Sequence, residues 1–381
     1  MKTLAEVRKE IDSIDRQLLT LFQARMDCAK EVAQIKRQEH LPVLNPKREE
    51  EILREVEGQG GEYGSAAKVL FSTMMDVSRA LQHDALGGGD SLRAEITAAV
   101  GQTPGFSASP RVACPGVAGS FSHEAAGMLF PNASPDFYET FSEVADAVNS
   151  GRADYGILPV ENSSAGSVVD SYDLVLHHRF FIVGATDVPI HHCCAGVEGA
   201  ELSQITDILS HPQGLAQCSD FIRRHNLRKT PCTNTAVAAK HVAEAKDKAK
   251  AAVCSALAAK RHGLRVLARD IQNANNNCTR FIVISKALQI PHNADKISLC
   301  FSLPHTTGSL YRTLGRFSLL GLNLTKIESR PIAGKSFEYL FTLDFAGSVA
   351  DQAVLSLLCA LSDELPNFSF LGNYREIKQE P

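Results

Sequence analysis

The sequence predicts a multidomain chain in which an all-α block, an α/β block and an α+β block follow one another. Apolar residues recur at heptad spacing from Leu4 to Val32, which marks a long amphipathic helix. Between Arg111 and Lys286, short β-type runs alternate with helical patterns, the mark of an α/β domain. From Lys296 to Tyr374 the order strand, helix, strand, strand, helix, strand can be read, which is the ferredoxin-like βαββαβ pattern. The expected boundaries are 1–86, a linker over 87–109, 110–287 and 295–376. A chain of 381 residues suits two or three such domains, each with enough apolar content for a real core.

The first helix is expected to end near His40, with Pro42 beyond it as a stop. Asn45 reads as an N-cap with Pro46 at the first helical position, opening a second helix through about Val56. Gly58, Gly60, Gly61 and Gly64 are expected to break it before a third helix over 65–84. Gly87, Gly88 and Gly89 open the linker, which holds one helical segment over 92–100. The clearest strands of the α/β block are 112–114, 155–160, 180–183, 251–254 and 281–284. The βαββαβ elements are expected at 297–303, 308–320, 322–329, 337–345, 350–362 and 367–374.

Composition removes several classes of function. A net charge of −4 leaves no electrostatic footprint for nucleic acid or an anionic membrane. No apolar run approaches membrane length, and the first residues read as a helix start rather than a signal peptide. Ten cysteines without CxxC pairs read as reduced thiols in a cytoplasmic protein. A metal role for His191, His192, Cys193 and Cys194 is conceivable, against the plainer reading that they occupy a strand or turn.

Two cations stand on the apolar stripe of the first helix. Arg25 falls on the row of Leu4, Ile11, Leu18 and Val32, and Lys36 on the row of Phe22 and Ala29. Snorkelling of a long stem would explain Lys36, near the helix end. Arg25 has apolar residues on both sides, where a cation needs an anion to offset its desolvation. A ligand would provide one. The two cations point the same way, roughly 16 Å apart along the axis. Arg8 lies about 25 Å from Arg25 and about 100° around the helix, so it joins the same ligand only from a second, antiparallel chain. If Arg8 is functional, a helical homodimer follows.

With Arg8, Arg25, Lys36, Arg48, Glu49, Ser78 and Gln82 in place, the first block resembles the all-helical chorismate mutases. The resemblance implies an intertwined dimer and a dicarboxylate substrate, chorismate, held by Arg8, Arg25 and Arg48. It assigns Lys36 and Gln82 to the ether oxygen that gains charge as the C–O bond breaks, Glu49 to the ring hydroxyl and Ser78 to a carboxylate. Asn45 stands where the family pattern has Asp. Both residues cap helices, but a neutral amide accepts a hydroxyl with less charge assistance.

The second block is similar to prephenate dehydratases through a series of motifs in order: Gly116 to Ser122, Glu161 to Gly166, Ser210 to Gln213, Asn234 with Thr235, and Thr279 to Phe281. The resemblance implies a two-lobed α/β fold of the periplasmic-binding-protein kind with the site in the cleft. Prephenate loses CO₂ and its ring hydroxyl together there, with no metal or organic cofactor. Thr279 is implied as the group that meets the departing hydroxyl, with Arg280 as a carboxylate clamp. Gly119, Ser120, Asn162, Ser163 and Thr235 are implied to line the cleft. Glu161, Ser210, His211 and Phe281 belong to the same set, with structural roles as the alternative: Phe281 as core, His211 as a turn residue and Glu161 as a loop pin.

The third block resembles ACT regulatory domains of the phenylalanine-sensing type through Gly308, Ser309 and Leu310 at a helix start and Glu328, Ser329 and Arg330 at a strand end. Asn323 and Leu324 fall in the same implied effector site. A glycine and a helix N-terminus suit a carboxylate, and Glu328 suits an ammonium. The alternative is a dimerisation module without ligand. Taken together, the blocks resemble the bifunctional chorismate mutase–prephenate dehydratases, or P-proteins. The resemblance implies feedback inhibition by L-phenylalanine and a homodimer or higher oligomer. Rivals are a dehydratase with a degraded, structural mutase block, an enzyme preferring arogenate, and a non-catalytic amino-acid sensor.

Overall fold

A computed structural model describes residues 2–86, 89–106, 109–332 and 338–377. Gly87 and Gly88 of the glycine run, and residue 337 of an expected strand, lie outside the described residues. The chain divides into two compact units, Met1–Ala98 with Lys296–Phe370, and Ala99–Asp295 with Leu371–Pro381.

In the first unit, helix α1 spans Leu4–Glu39, opened by a capping box between Thr3 and Glu6 and closed by His40 in the left-handed region. Helix α2 spans Pro46–Gln59 and is capped by the Asn45 side chain, which accepts from the Arg48 amide at 3.2 Å. Gly58 does not break α2, as expected from sequence, but lies inside it. The corner that follows needs glycine for close approach: a Cβ on Gly64 would fall 2.3 Å from the Glu57 carbonyl oxygen. Helix α3 then spans Gly64–Leu86, and α4 spans Asp90–Ala99.

The expected burial of the α1 stripe fails along most of its length, and Val32 in its later half is still 41% exposed. Met26, Ala29 and Ala33 are buried, whereas Leu4, Val7, Ile11, Ile14, Leu18 and Leu21 are between 39% and 67% exposed. Residues of α3 reach α1 through Ser78 to Arg25 and Met26, and through Gln82 to Lys36. Contacts of that kind fall on the later turns of α1, while the apolar residues of the earlier turns stay exposed among the described residues.

The rest of this unit is the βαββαβ module. Its antiparallel sheet runs in the order Leu324–Pro331, Tyr339–Ala346, Lys296–Ser302, Ser369–Tyr374, with helices Ser309–Leu319 and Gln352–Glu364. The edge strand Leu324–Pro331 alternates half-buried and exposed, while Lys296–Ser302 is buried throughout, as a central strand should be.

The second unit contains two sheets. The larger runs Glu376–Ile377, Phe181–Pro189, Cys278–Ser285, Tyr155–Asn162, Val112–Pro115, Asp136–Tyr138, with Gly166–Ser167 paired to Tyr155–Asn162. The smaller runs Arg265–Ala268, Cys193–Gly196, Lys250–Cys254, Asp207–Ser210, Arg228–Pro231. The strand Asp207–Ser210 escapes the sequence reading, and Cys193–Gly196 is read there only as a strand or turn at its two cysteines. They are buried through every residue, so they show no alternation, and Cys, Ala, Gly and Ser give little β signal. His191 and His192 precede the first of these strands in irregular backbone. Among the described residues, no cluster of His, Cys, Asp or Glu could hold a metal, and no helix is long and apolar enough to cross a membrane.

Candidate active and regulatory sites

The first site lies where α3 meets the later turns of α1. Arg25 is half-buried and donates to Ser78 Oγ at 2.7 Å and to the Met74 carbonyl at 3.3 Å. Both acceptors are neutral, so the guanidinium has no carboxylate partner among the described residues. Lys36 donates to Gln82 Oε1 at 3.1 Å and to the Val43 carbonyl at 2.5 Å. Burial lowers the Lys36 pKa, Glu49 opposes that shift, and Arg79 adds to it. Four of the expected residues, Arg25, Ser78, Lys36 and Gln82, are thus joined in two hydrogen-bonded pairs on one face.

The others are placed differently. Arg8 is exposed on the uncovered half of α1. Arg48 is exposed and pairs with Glu51 at 3.3 Å, and the Asn45 side chain is occupied with capping. Glu49 is held by the Arg79 guanidinium, a residue the sequence reading missed. Arg79 also binds Asp76 and faces Glu364 at 3.6 Å. Its only sequence clue is its place beside Ser78.

The second site is a cavity of about 240 Å³ within the α/β unit. The larger sheet and its helices contribute Phe121, Asn162 and Thr279, and the smaller-sheet region contributes His192, His211, Gln217, Asn234 and Thr235. Thr279 stands opposite Asn162 in the register of adjacent strands, and its hydroxyl accepts from the Asn162 amide at 2.8 Å. Asn162 Oδ1 accepts from the Ser164 and Ala165 amides, which locks the tight turn and aims Nδ2 at Thr279. Ser163 Oγ closes the same loop onto the Asn276 carbonyl and the Cys278 amide.

Ser120 caps the helix Phe121–Leu129, and Gly119, with φ +95°, carries it close to Ala258. His211 caps Pro212–Gln217 by accepting from the Gln213 amide at 3.2 Å. Ser210 is buried and donates to the Val253 carbonyl at 2.7 Å, and Phe281 is buried in the core. His192, weighed in the sequence as a metal ligand and not as a cleft residue, is buried at the cavity, packs edge-on to Phe121 and bonds Gln217 at 2.9 Å. Burial pushes its pKa down, so it is neutral near pH 7.

Arg280 requires a correction. It is expected to clamp a substrate carboxylate, but alternation along the strand turns it away from Thr279 and the cavity. Its guanidinium meets Asp187 at 2.9 and 3.0 Å, Glu376 at 3.2 Å and Glu161 at 3.8 Å. Burial opposes its charge, and those carboxylates outweigh burial and raise its pKa. In this geometry Arg280 fastens the protein's own strands, and Glu161 acts with it.

In the βαββαβ module, Gly308 (φ +78°) caps the helix Ser309–Leu319, on which Leu310 is the second residue. Ser309 lines a cavity of about 310 Å³ with His305, Thr306, Tyr339 and Phe341. Gly308 and Leu324 instead line a cavity of about 770 Å³ together with Lys68, Ser72 and Asp76 of α3. Glu328 pairs with Lys326 at 3.4 Å and approaches Arg330 at 4.0 Å, while Ser329 and Asn323 are exposed. The expected effector residues are therefore spread over two cavities and a strand rather than gathered in one.

Comparison with known proteins finds two families along the chain. The chorismate mutase type II family matches residues 7–83, and the prephenate dehydratase family matches residues 112–289. A bifunctional chorismate mutase/prephenate dehydratase of Aquifex aeolicus is 33% identical over 383 aligned residues, covering 98% of each chain. Arogenate dehydratase 2 of Petunia hybrida is 38% identical over 69% of this chain and 71% of its own. Among solved structures, a prephenate dehydratase from Arthrobacter aurescens in complex with L-Phe aligns with a TM-score of 0.64 at 31% identity, covering 69% of this chain and 89% of its own. A protein described as a novel type of quorum quenching acylase aligns with the same TM-score and identity over 70% of this chain and 98% of its own.

Proposed function

We propose that this chain, which belongs to the bifunctional chorismate mutase/prephenate dehydratase family, rearranges chorismate to prephenate in its helical block and converts prephenate to phenylpyruvate in its α/β unit. The observation that carries this reading is the match to a bifunctional relative along 98% of both chains. In the mutase site, Arg25 would bind a substrate carboxylate beside Ser78. Lys36 and Gln82 would stabilise the negative charge that develops on the ether oxygen, by hydrogen bonds stronger in the transition state than in the ground state. No covalent step is involved.

The exposed apolar half of α1 supports a homodimer. A second copy packed antiparallel along that stripe would cover it and deliver Arg8 to the partner's site. The site is incomplete in one chain because Arg8 and Arg25 are separated by seventeen positions on one rigid helix, roughly 25 Å.

In the dehydratase site, Thr279, oriented by Asn162, would meet the ring hydroxyl as it departs with CO₂. A threonine hydroxyl is a weak acid near pH 7, so its role is hydrogen bonding and positioning of the leaving oxygen. Neutral His192, fixed by Gln217, lies at the same cavity. With Arg280 committed to Asp187 and Glu376, the substrate carboxylates would rely on backbone N–H groups and uncharged side chains such as Asn234 and Thr235. Arogenate differs from prephenate by an amine, and plant arogenate dehydratases are among the relatives. Side-by-side kinetics on the two substrates decide between them, with prephenate expected to be preferred.

The βαββαβ module would act as an ACT domain that senses L-phenylalanine. The L-Phe complex of the Arthrobacter relative supports this. A coupled assay, chorismate in and phenylpyruvate out, with and without phenylalanine, tests the whole reading. Product formation that phenylalanine suppresses is expected, and the absence of phenylpyruvate would overturn it.

A further inference from the structure

We propose that Arg79 is a positioning residue of the mutase site, and that Glu364 of the βαββαβ module sets it, so that the module tunes the mutase through one buried carboxylate. The inference rests on the mutase reading above. Arg79 holds both carboxylate oxygens of Glu49, the group assigned to the substrate's ring hydroxyl. Its second nitrogen binds Asp76, and its Nε faces Glu364 at 3.6 Å without a hydrogen bond.

Glu364 is itself 281 positions beyond His83, which it meets at 2.9 Å, and it binds Arg316 at 2.9 Å on the neighbouring helix. Three carboxylates thus share two guanidiniums in a region where the side chains of Asp76, Arg79, Arg316 and Glu364 are all about nine-tenths buried. Removing one partner from such a cluster leaves the opposite charge seeking the remaining carboxylates. If Glu364 is neutralised, Arg79 is drawn further toward Asp76 and Glu49, and Glu49 moves with it.

A second effect follows from charge. Lys36 feels Glu49 and Arg79 in opposite directions, so loss of an anion beside Arg79 favours the neutral amine. Arg79 is the residue that links Glu364 to Glu49. This gives the module a physical connection to the mutase site, distinct from any effect on the dehydratase cavity.

The test uses the full chain. Glu364→Gln is expected to lower mutase kcat about ten-fold, within the usual range for coupled sites, with KM changed less. The alkaline limb of its mutase pH profile should move to lower pH. Prephenate consumption by the same preparation should match wild type and reports that the chain is folded. Arg79→Lys and Glu364→Asp, which keep each charge, should show the same effects at smaller size, and the double variant Arg79→Lys/Glu364→Gln should fall short of additivity. Mutase kcat, KM and pH profile all within about two-fold of wild type in folded Glu364→Gln would overturn this inference alone. An inactive wild-type mutase would overturn the underlying reading as well.

Discussion

The two candidate sites are built in opposite ways. The mutase site is written along helix faces: Arg25 and Lys36, about three turns apart on α1, meet Ser78 and Gln82, about one turn apart on α3. The dehydratase cavity is assembled by sheet topology from segments far apart in sequence, such as Asn162, His192, Thr235 and Thr279. The first is open, and Arg8, proposed to complete it from a second copy, stands on an exposed helix face. The second has its lining residues within one unit of one chain. A helical site therefore invites completion by another copy, whereas a cleft between sheets is complete where the chain folds on itself.

The largest expected effect separates the two sites outright. Lys36→Ala should reduce chorismate consumption by about 10²–10³-fold, the usual loss of a group that stabilises developing charge. Prephenate consumption by the same variant should be unchanged, and parallel assays on the two substrates check both.

A smaller effect sharpens the contrast between a shared site and a self-contained one. Arg8→Ala and Arg25→Ala chains should each lose mutase activity by about ten-fold or more. Mixing them after unfolding and refolding should restore part of it, because a mixed dimer regains one intact site. No recovery on mixing would place Arg8 outside its partner's site.

The pH dependence should differ too. In its proposed role at the ether oxygen Lys36 must be charged, and burial lowers its pKa. Mutase activity should therefore fall as pH rises through a value below that of an ordinary lysine, and Lys36→Arg should move that limb upward. Because this lysine belongs to the mutase site alone, dehydratase rates measured over the same range should not share its alkaline limb.

The smallest effect concerns Asn45. Asn45→Asp should leave helix stability nearly unchanged, since both side chains cap well, and should shift mutase kcat/KM by less than about ten-fold. Steady-state kinetics and a melting curve check the two halves of that statement.

The same contrast explains what the sequence reveals. The helices of the first block are legible because caps and heptad spacing are local, and Arg25 and Lys36 stand out against an apolar row. Which half of that row is covered is not legible, since α3 returns to α1 only after the α2 corner. Arg79 is invisible for a similar reason: Glu49 and Glu364, its distant partners, are brought to it by folding. In the α/β unit, strands rich in Val and Ile are read easily, while Cys193–Gly196 and Asp207–Ser210 are not. Arg280 shows how a residue type can mislead, because a guanidinium on one side of a strand serves internal carboxylates while its neighbour Thr279 faces the cavity.

The most direct test of two separate sites acting in sequence is product analysis of Thr279→Ala supplied with chorismate. Chorismate should disappear at the wild-type rate and prephenate should accumulate in equal amount, with phenylpyruvate formation reduced by about 10²-fold. Phenylpyruvate at the wild-type rate would contradict the assignment of Thr279, and untouched chorismate in a folded variant would contradict the independence of the two sites.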